Sequence, residues 1–256
     1  MKAHEVLAFW RQHALALSEE EGFRFGSPEI EVSGILVAWM ATVEAIEAAR
    51  AQGCNLLVVH EDILFPPEYT HTRPEPYLSG VVNTRRLQRL AQGEMAVIRA
   101  HGSLDRLCIL DDFAAALGLP SPAVREGYYR VYDIAPTRVD ALAEQIKARL
   151  ALPSLRLVGD AARVVRRVGL PWGGLGLSYN AAFIEGLLRY RVDALIAGES
   201  DEYALWAARD ADVPLIETAH AVSEEPGLRH FAEMLGAFVA PIPVVFHGMG
   251  RPWRLI

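Results

Sequence analysis

The sequence predicts an α/β protein, with helices packed on parallel sheet, built as two related halves. Three observations predict it. First, "GILVAWM" (34–40) is a strand-like apolar run, "ATVEAIEAARAQG" (41–53) has helix-forming composition stopped at Gly53, and "NLLVVHED" (55–62) is a second apolar run. That order is a strand–helix–strand unit, which parallel sheet requires. Second, "DALIAGES" (193–200) echoes "NLLVVHED", each an apolar strand ending in small or polar residues. Third, "AVIRAHGSLD" (96–105) echoes "VPLIETAHAVSE" (213–224), each an apolar strand, then Ala-His, then a carboxylate four residues past the histidine. One echo alone is compatible with chance similarity of strand ends, whereas two in the same order point to an internal duplication.

The remaining elements follow in order. "MKAHEVLAFWRQHALALSEEEG" (1–22) carries apolar residues at helical spacing and predicts an opening helix. Prolines in "PPEYTHTRPEPYLSG" (66–80) forbid either regular element, so this segment is expected to be a loop beside the His60 strand end, with His71 and Arg73 available to an anionic substrate. A helix at 83–93, a strand from 95 and a helix at 107–119 complete the first half, taken as residues 1–127. The second half, 128–256, opens on "YYRVYDIA", continues through the helix "RVDALAEQIKARLAL" and the strand-like "LRLVGD", and passes "VVRRVGLPWGGLGLSYN" into the helix "AAFIEGLLRYR". Both halves are read as parts of a single structural unit.

Composition narrows the function classes. The 256 residues are 52% hydrophobic and 22% charged, with a formal charge of -7 and no Lys/Arg-rich run, so nucleic acid and anionic membrane are poor partners. No stretch approaches a membrane span, and the start lacks a signal peptide's apolar core, which predicts a cytoplasmic protein. Cys54 and Cys108 are far apart and flanked by apolar runs, so buried reduced thiols are expected rather than a disulfide or thiolate site. "GGLGLS" (173–178) lacks the G-K-[ST] ending of a P-loop and reads as a tight strand-to-helix turn. Ser200 does not sit in G-x-S-x-G, which argues against a nucleophile elbow.

Chemistry concentrates at the strand ends. Ligands of parallel sheets collect where the carboxyl ends of neighbouring strands converge, and His60-Glu61, His101 with Asp105, and His220 with Glu224 all fall there. Imidazole nitrogen mixed with carboxylate oxygen suits zinc, manganese or iron and is too nitrogen-rich for a dedicated calcium cage. A histidine at a strand end is also what a capping residue looks like, and H-x-x-x-D alone has little specificity, so both readings stay open on spacing.

In order and spacing, "GILVAWMATVEAIEAARAQGCNLLVVHEDILF", "RAHGSLD", "LRLVGDAARVVRRVG", "DALIAGES" and "LIETAHAVSEEPGLRHFAEML" resemble the Nif-three-like dinuclear-metal family, type 2 homologues of GTP cyclohydrolase I. The resemblance runs from about residue 20 to the end. It implies a three-layer Nif-three-like fold, with two pseudo-equivalent α/β halves facing a shared metal cleft, in a homohexameric ring. It also implies metal ligands at His60, Glu61, His101, Asp105, His220 and Glu224. The expected activity is a metal-dependent hydrolase acting on a nucleotide-like or phosphorylated small molecule, with Glu224 or Glu61 taking a proton from water. The alternative is a non-catalytic metal-binding or regulatory ring protein. Three departures bear on the choice: Glu61 replaces a second histidine, Gly102-Ser103 follow His101 in place of Thr-Asn, and Tyr203 stands where a further histidine is common. A carboxylate at position 61 shifts preference toward harder metals.

Overall fold

The computed structural model describes residues 1–66, 75–254 and 256. A 3-10 turn (Ala3–Leu7) leads into α1 (Ala8–Gln12), followed by β1 (Gly22–Phe25), β2 (Ile35–Ala38), α2 (Val43–Ala51) and β3 (Leu56–Val59). Next come α3 (Glu75–Leu78), α4 (Val81–Gln92), β4 (Ala96–Arg99), the short α5 (Gly102–Leu104), a π turn (Asp105–Ile109) and α6 (Leu110–Ala116). β5 (Val124–Glu126), β6 (Tyr129–Arg138), α7 (Val139–Arg149), β7 (Arg156–Val158) and β8 (Val164–Gly169) follow. The chain ends with α8 (Ala181–Arg189), β9 (Ala194–Ala197), α9 (Glu202–Asp210), β10 (Leu215–Glu217), α10 (His220–Val239) and β11 (Val244–His247). His71 and Arg73 lie outside the described residues, and the end of the segment expected to be a loop, 66–80, instead forms the single turn α3.

Two compact units result: Met1–Cys108 with Gly227–Met249, and Ile109–Pro226 with Gly250–Ile256. In the first, the strands run in the order β1-β4-β3-β2-β11, with β4, β3, β2 and β11 parallel and β1 antiparallel at the edge. Leu36, Ala38, Leu57, Val59 and Val97 pack one face of this sheet against Ala45, Ile46 and Ala49 of α2 and Leu90 of α4. Strand alternation sends Ile35, Val37, Leu56, Val58 and Ile98 to the other face, and these are fully buried too. Burial on both faces is why these strands read as unbroken apolar runs, each such side chain contributing about 1.5–3 kcal/mol.

The second unit has the order β5-β6-β8-β9-β10-β7, parallel only along β8-β9-β10 and antiparallel elsewhere. Val131, Leu195, Ala197 and Leu215 meet Leu187 of α8 and Ala208 of α9 in its core. The expectation of parallel sheet therefore holds for the central strands and not the flanking ones. Side chains alternate with the same period in both orientations, so the apolar pattern does not distinguish them.

The opening helix is shorter than its periodicity predicts. Phe9 packs edge-on against Phe231 and Phe238, with ring centroids 5.4 and 5.7 Å apart. The chain then turns at Ala14 (φ 54°) and reaches β1, a strand the sequence pattern did not announce. Packing of the two buried aromatics Phe9 and Trp10 thus outweighs the propensity of residues 15–21 to continue a helix. Cys54 and Cys108 are buried free thiols, as expected. Although α10 has 20 residues, no helix among the described residues is long and apolar enough to cross a membrane.

Candidate metal centre

Strand register explains why "NLLVVHED" ends in charge. β3 and β4 are parallel with Val59 opposite Arg99, and the ladder takes one more step as the Ala100 N–H donates to the Val59 carbonyl at 2.8 Å. His60 and Glu61 therefore leave one strand beside Ala100 and His101 of the next. Both of their N–H groups donate to the Trp39 carbonyl past the end of β2, at 3.1 and 2.8 Å.

The His60 side chain is fully buried, with Nδ1 3.0 Å from the Ala100 carbonyl oxygen. A carbonyl only accepts, so Nδ1 carries the hydrogen and the neutral ring offers its Nε2 lone pair. That Nε2 lies 3.6 Å from Asp105 Oδ1, an ion pair when the ring is protonated and a lone pair facing a carboxylate when it is neutral. His101 is held the same way, Nδ1 donating to Glu20 Oε1 at 2.9 Å while Nε2 sits 3.9 Å from Glu61 Oε1. Asp105 follows His101 by one helical turn, at the junction of α5 and the π turn, a kind of distortion frequent at functional sites. His60, His101 and Asp105 each bring one ligand atom within 4.8 Å of the others. Two ligands about 2.1 Å from a tetrahedral ion stand roughly 3.4 Å apart, so the spacing fits a cation.

Three residues around these ligands escaped the sequence reading. Arg99 is 2% exposed, and it donates from Nε to the His60 carbonyl at 3.2 Å and from Nη1 to Glu20 Oε2 at 3.3 Å. Its guanidinium also stands 3.9 Å from Glu61 Oε2 and 4.0 Å from Asp62 Oδ2. Glu21 accepts from the backbone N–H groups of His101 (2.7 Å) and Ser103 (3.0 Å) and from the Ser103 hydroxyl (2.5 Å), while Trp10 Nε1 donates to that hydroxyl at 3.0 Å. Burial acts to raise the Glu21 carboxyl, but these bonds, with one from the Ser18 N–H, outweigh it and hold the group below its ordinary value. Glu20 and Glu21 belong to "SEEEG", an acidic run that reads locally as a solvated turn. Only pairing across 80 residues gives it a role.

In the second unit β9 and β10 pair with Ala197 opposite Glu217. The Ala219 N–H donates to the Gly198 carbonyl at 2.7 Å, and Ala219, at φ 106°, turns the chain into α10, whose first residue is His220. His220 Nδ1 lies 3.0 Å from Glu199 Oε2, and its Nε2 lies 3.3 Å from Glu224 Oε1 one turn along the helix. The glycine loop closes on this pair. As expected, "GGLGLS" forms turns, two successive 3-10 ones, between β8 and α8. Beyond that expectation, a Cβ on Gly173 (φ +53°) would sit 2.1 Å from Glu224 Oε1, and one on Gly174 would sit 3.0 Å from His220 Cε1.

Ser200 is buried, and its N–H donates to Glu217 Oε2 at 3.1 Å. Glu217 also receives the Arg156 guanidinium, yet burial outweighs that attraction and pushes its carboxyl above the ordinary value. Tyr203 lies 82% exposed on α9. The structure thus gathers His60, Glu61, His101 and Asp105 within the first unit and His220 with Glu224 within the second, and adds Glu20, Glu21, Arg99 and Glu199.

These features define an α/β protein of two mixed sheets that carry histidine–carboxylate groups past the carboxyl ends of their parallel strands. Residues 4–248 match the family model described as DUF34/NIF3 (NGG1p interacting factor 3), and the chain belongs to that family. It is 26% identical over 246 residues to a Chlamydia pneumoniae protein named GTP cyclohydrolase 1 type 2 homolog, covering 91% of this chain and 90% of that one. A Helicobacter pylori protein named GTP cyclohydrolase 1 type 2 is 24% identical over 220 residues, 86% of this chain and 84% of that one. Among solved structures, a Bacillus cereus protein related to NIF3 superposes with a TM-score of 0.80 at 14% identity, over 100% of this chain and 99% of the other.

Proposed function

We propose that the chain binds one or two divalent metal ions, zinc, manganese or iron, and hydrolyses a nucleotide-like or phosphorylated small molecule. One observation carries the reading. Each of His60, His101 and His220 has Nδ1 tied to an oxygen that only accepts, leaving Nε2 to face a carboxylate oxygen at 3.6, 3.9 and 3.3 Å. With the rings neutral, two electron-rich atoms at such distances are drawn together by a positive charge between them, and a bound metal ion would supply it near ligand spacing.

His60, Glu61, His101 and Asp105 are the proposed ligands of the first unit, and His220 and Glu224 those of the second. The internal echo and the family resemblance support taking the two sets as a dinuclear centre. A bound divalent cation would supply Lewis acidity and make water more acidic. Glu224, or Glu61 where it does not bind metal, would accept the proton that water releases. The nucleotide-like substrate rests on the activity named for the Helicobacter relative, and the hexameric ring on the resemblance. Light scattering of the purified protein tests the ring, with a mass near six chains expected and a monomer refuting it.

The second reading, a non-catalytic metal-binding or regulatory ring protein, is favoured by the Arg99 guanidinium 3.9 Å from Glu61, which competes with a metal for that carboxylate. Metal analysis and a hydrolysis panel of nucleotides and phosphodiesters, run on the native chain and on Glu61→His, separate the two. The enzyme reading expects bound transition metal and metal-stimulated turnover; metal without turnover in either protein leaves the regulatory reading, and no metal refutes both. Asp105→Ala and Glu224→Ala should each lower metal content while the thermal midpoint holds, and normal stoichiometry in both would refute the ligand set.

A further inference from the structure

We infer that Glu20 and Glu199 are positioning residues, each locking one histidine, His101 and His220 respectively, in the tautomer that presents Nε2 to a cation. The two carboxylates come from unrelated places. Glu20 precedes an edge strand of the first unit and Glu199 follows a central strand of the second, yet they reach the same ring nitrogen at 2.9 and 3.0 Å. An ionised carboxylate has no hydrogen to give, so Nδ1 must carry one, and the neutral ring's lone pair is placed on Nε2. Anchoring of this kind also fixes ring orientation and raises the basicity of the nitrogen left for metal.

Glu20 is itself oriented. Its second oxygen receives Arg99 Nη1 at 3.3 Å, and because Arg99 also holds the His60 carbonyl, one buried guanidinium ties the support of His101 to the backbone of His60. The register echo makes the second carboxylate informative. Glu199 stands two residues past Ala197 as Glu61 stands two past Val59, with Ala197 opposite Glu217 and Val59 opposite Arg99. In the first unit Glu61 faces Nε2 and an additional residue, Glu20, serves Nδ1; in the second unit Glu199 serves Nδ1 and Glu224 faces Nε2.

This inference rests on the metal reading, and its test reads the rings apart from any activity. Long-range proton–nitrogen spectra of the metal-free full-length chain, at about pH 8 where an ordinary imidazole is neutral, should show Nδ1-protonated His101 and His220. Glu20→Ala should shift the His101 pattern alone toward the Nε2-protonated form and Glu199→Ala the His220 pattern alone, each weakening zinc binding about 10- to 100-fold. Glu20→Gln and Glu199→Gln, which keep an oxygen acceptor for Nδ1, should retain the native tautomer and most of the affinity. Alanine variants with native ring patterns and native zinc affinity would overturn the inference. Failure of the native chain to take up zinc, manganese or iron would remove the metal reading, and the tautomer shifts would still decide whether the two glutamates position the rings.

Discussion

The two units solve one problem, holding a histidine against a carboxylate at a sheet's edge, with opposite charges at the equivalent register position. In the first unit Arg99, opposite Val59, is a buried cation among Glu20, Glu61 and Asp62. In the second, Glu217, opposite Ala197, is a buried acid held by Arg156 and the Ser200 N–H. The first unit gathers side chains around its histidines, whereas the second brings a glycine backbone against them. A similar strand–helix order in the two units therefore fixes where the candidate ligands emerge, and different neighbours surround them in each unit.

The support of the first unit should fail most dramatically. Trp10 is 1% exposed and donates to Ser103, which in turn bonds Glu21. Trp10→Ala is expected to cost about 3–5 kcal/mol, measured by denaturant unfolding, whereas Ser103→Ala should cost only about 1–3 kcal/mol. Equal small losses would mean that the aromatic is not a foundation of the site.

In the second unit Gly173→Ala both strains a positive φ and drives a methyl into Glu224 Oε1. A stability loss on the order of 1–3 kcal/mol is expected, with lowered metal content. Unchanged metal content would show that the loop can retreat and that the cradle is incidental.

A pH series sharpens the contrast in charge. Burial raises the Glu217 carboxyl in the folded chain, so the native state holds that proton more tightly than the unfolded one. The stability this contributes is fully present below the ordinary value of 4.5 and is lost as pH rises through the folded value. Glu217→Gln cannot ionise, so its stability relative to native should improve as pH rises across that window; a constant difference would refute the assignment. Tyr132, pushed up to about 12 chiefly by burial, has the same sign in alkali. Its contribution is complete below the ordinary value of 10.0 and fades between there and about 12. The smallest effect belongs to Tyr203, whose exposed ring predicts a change within about 0.5 kcal/mol for Tyr203→Ala; a larger loss, or altered metal content, would mean that it works at the site.

Much of the fold was legible because central strands buried on both faces leave unbroken apolar runs, as in Leu56–Val59 and Ala194–Ala197. The strands β1 and β11 were not, since β1 has only one buried residue and β11 none. His101 with Asp105 and His220 with Glu224 were found because four-residue spacing survives translation into one helical turn.

What the sequence determined alone is local: where strands end, which residues leave those ends, and the periodicity that repeats in the second half. Tertiary structure decided the partners. Whether Glu20 and Glu199 are solvated acids or clamps on an imidazole depends on pairing across 81 and 21 residues. Hydrogen bonds at such separation follow from packing that no local pattern encodes, and the orientation of His101 and His220 follows from them.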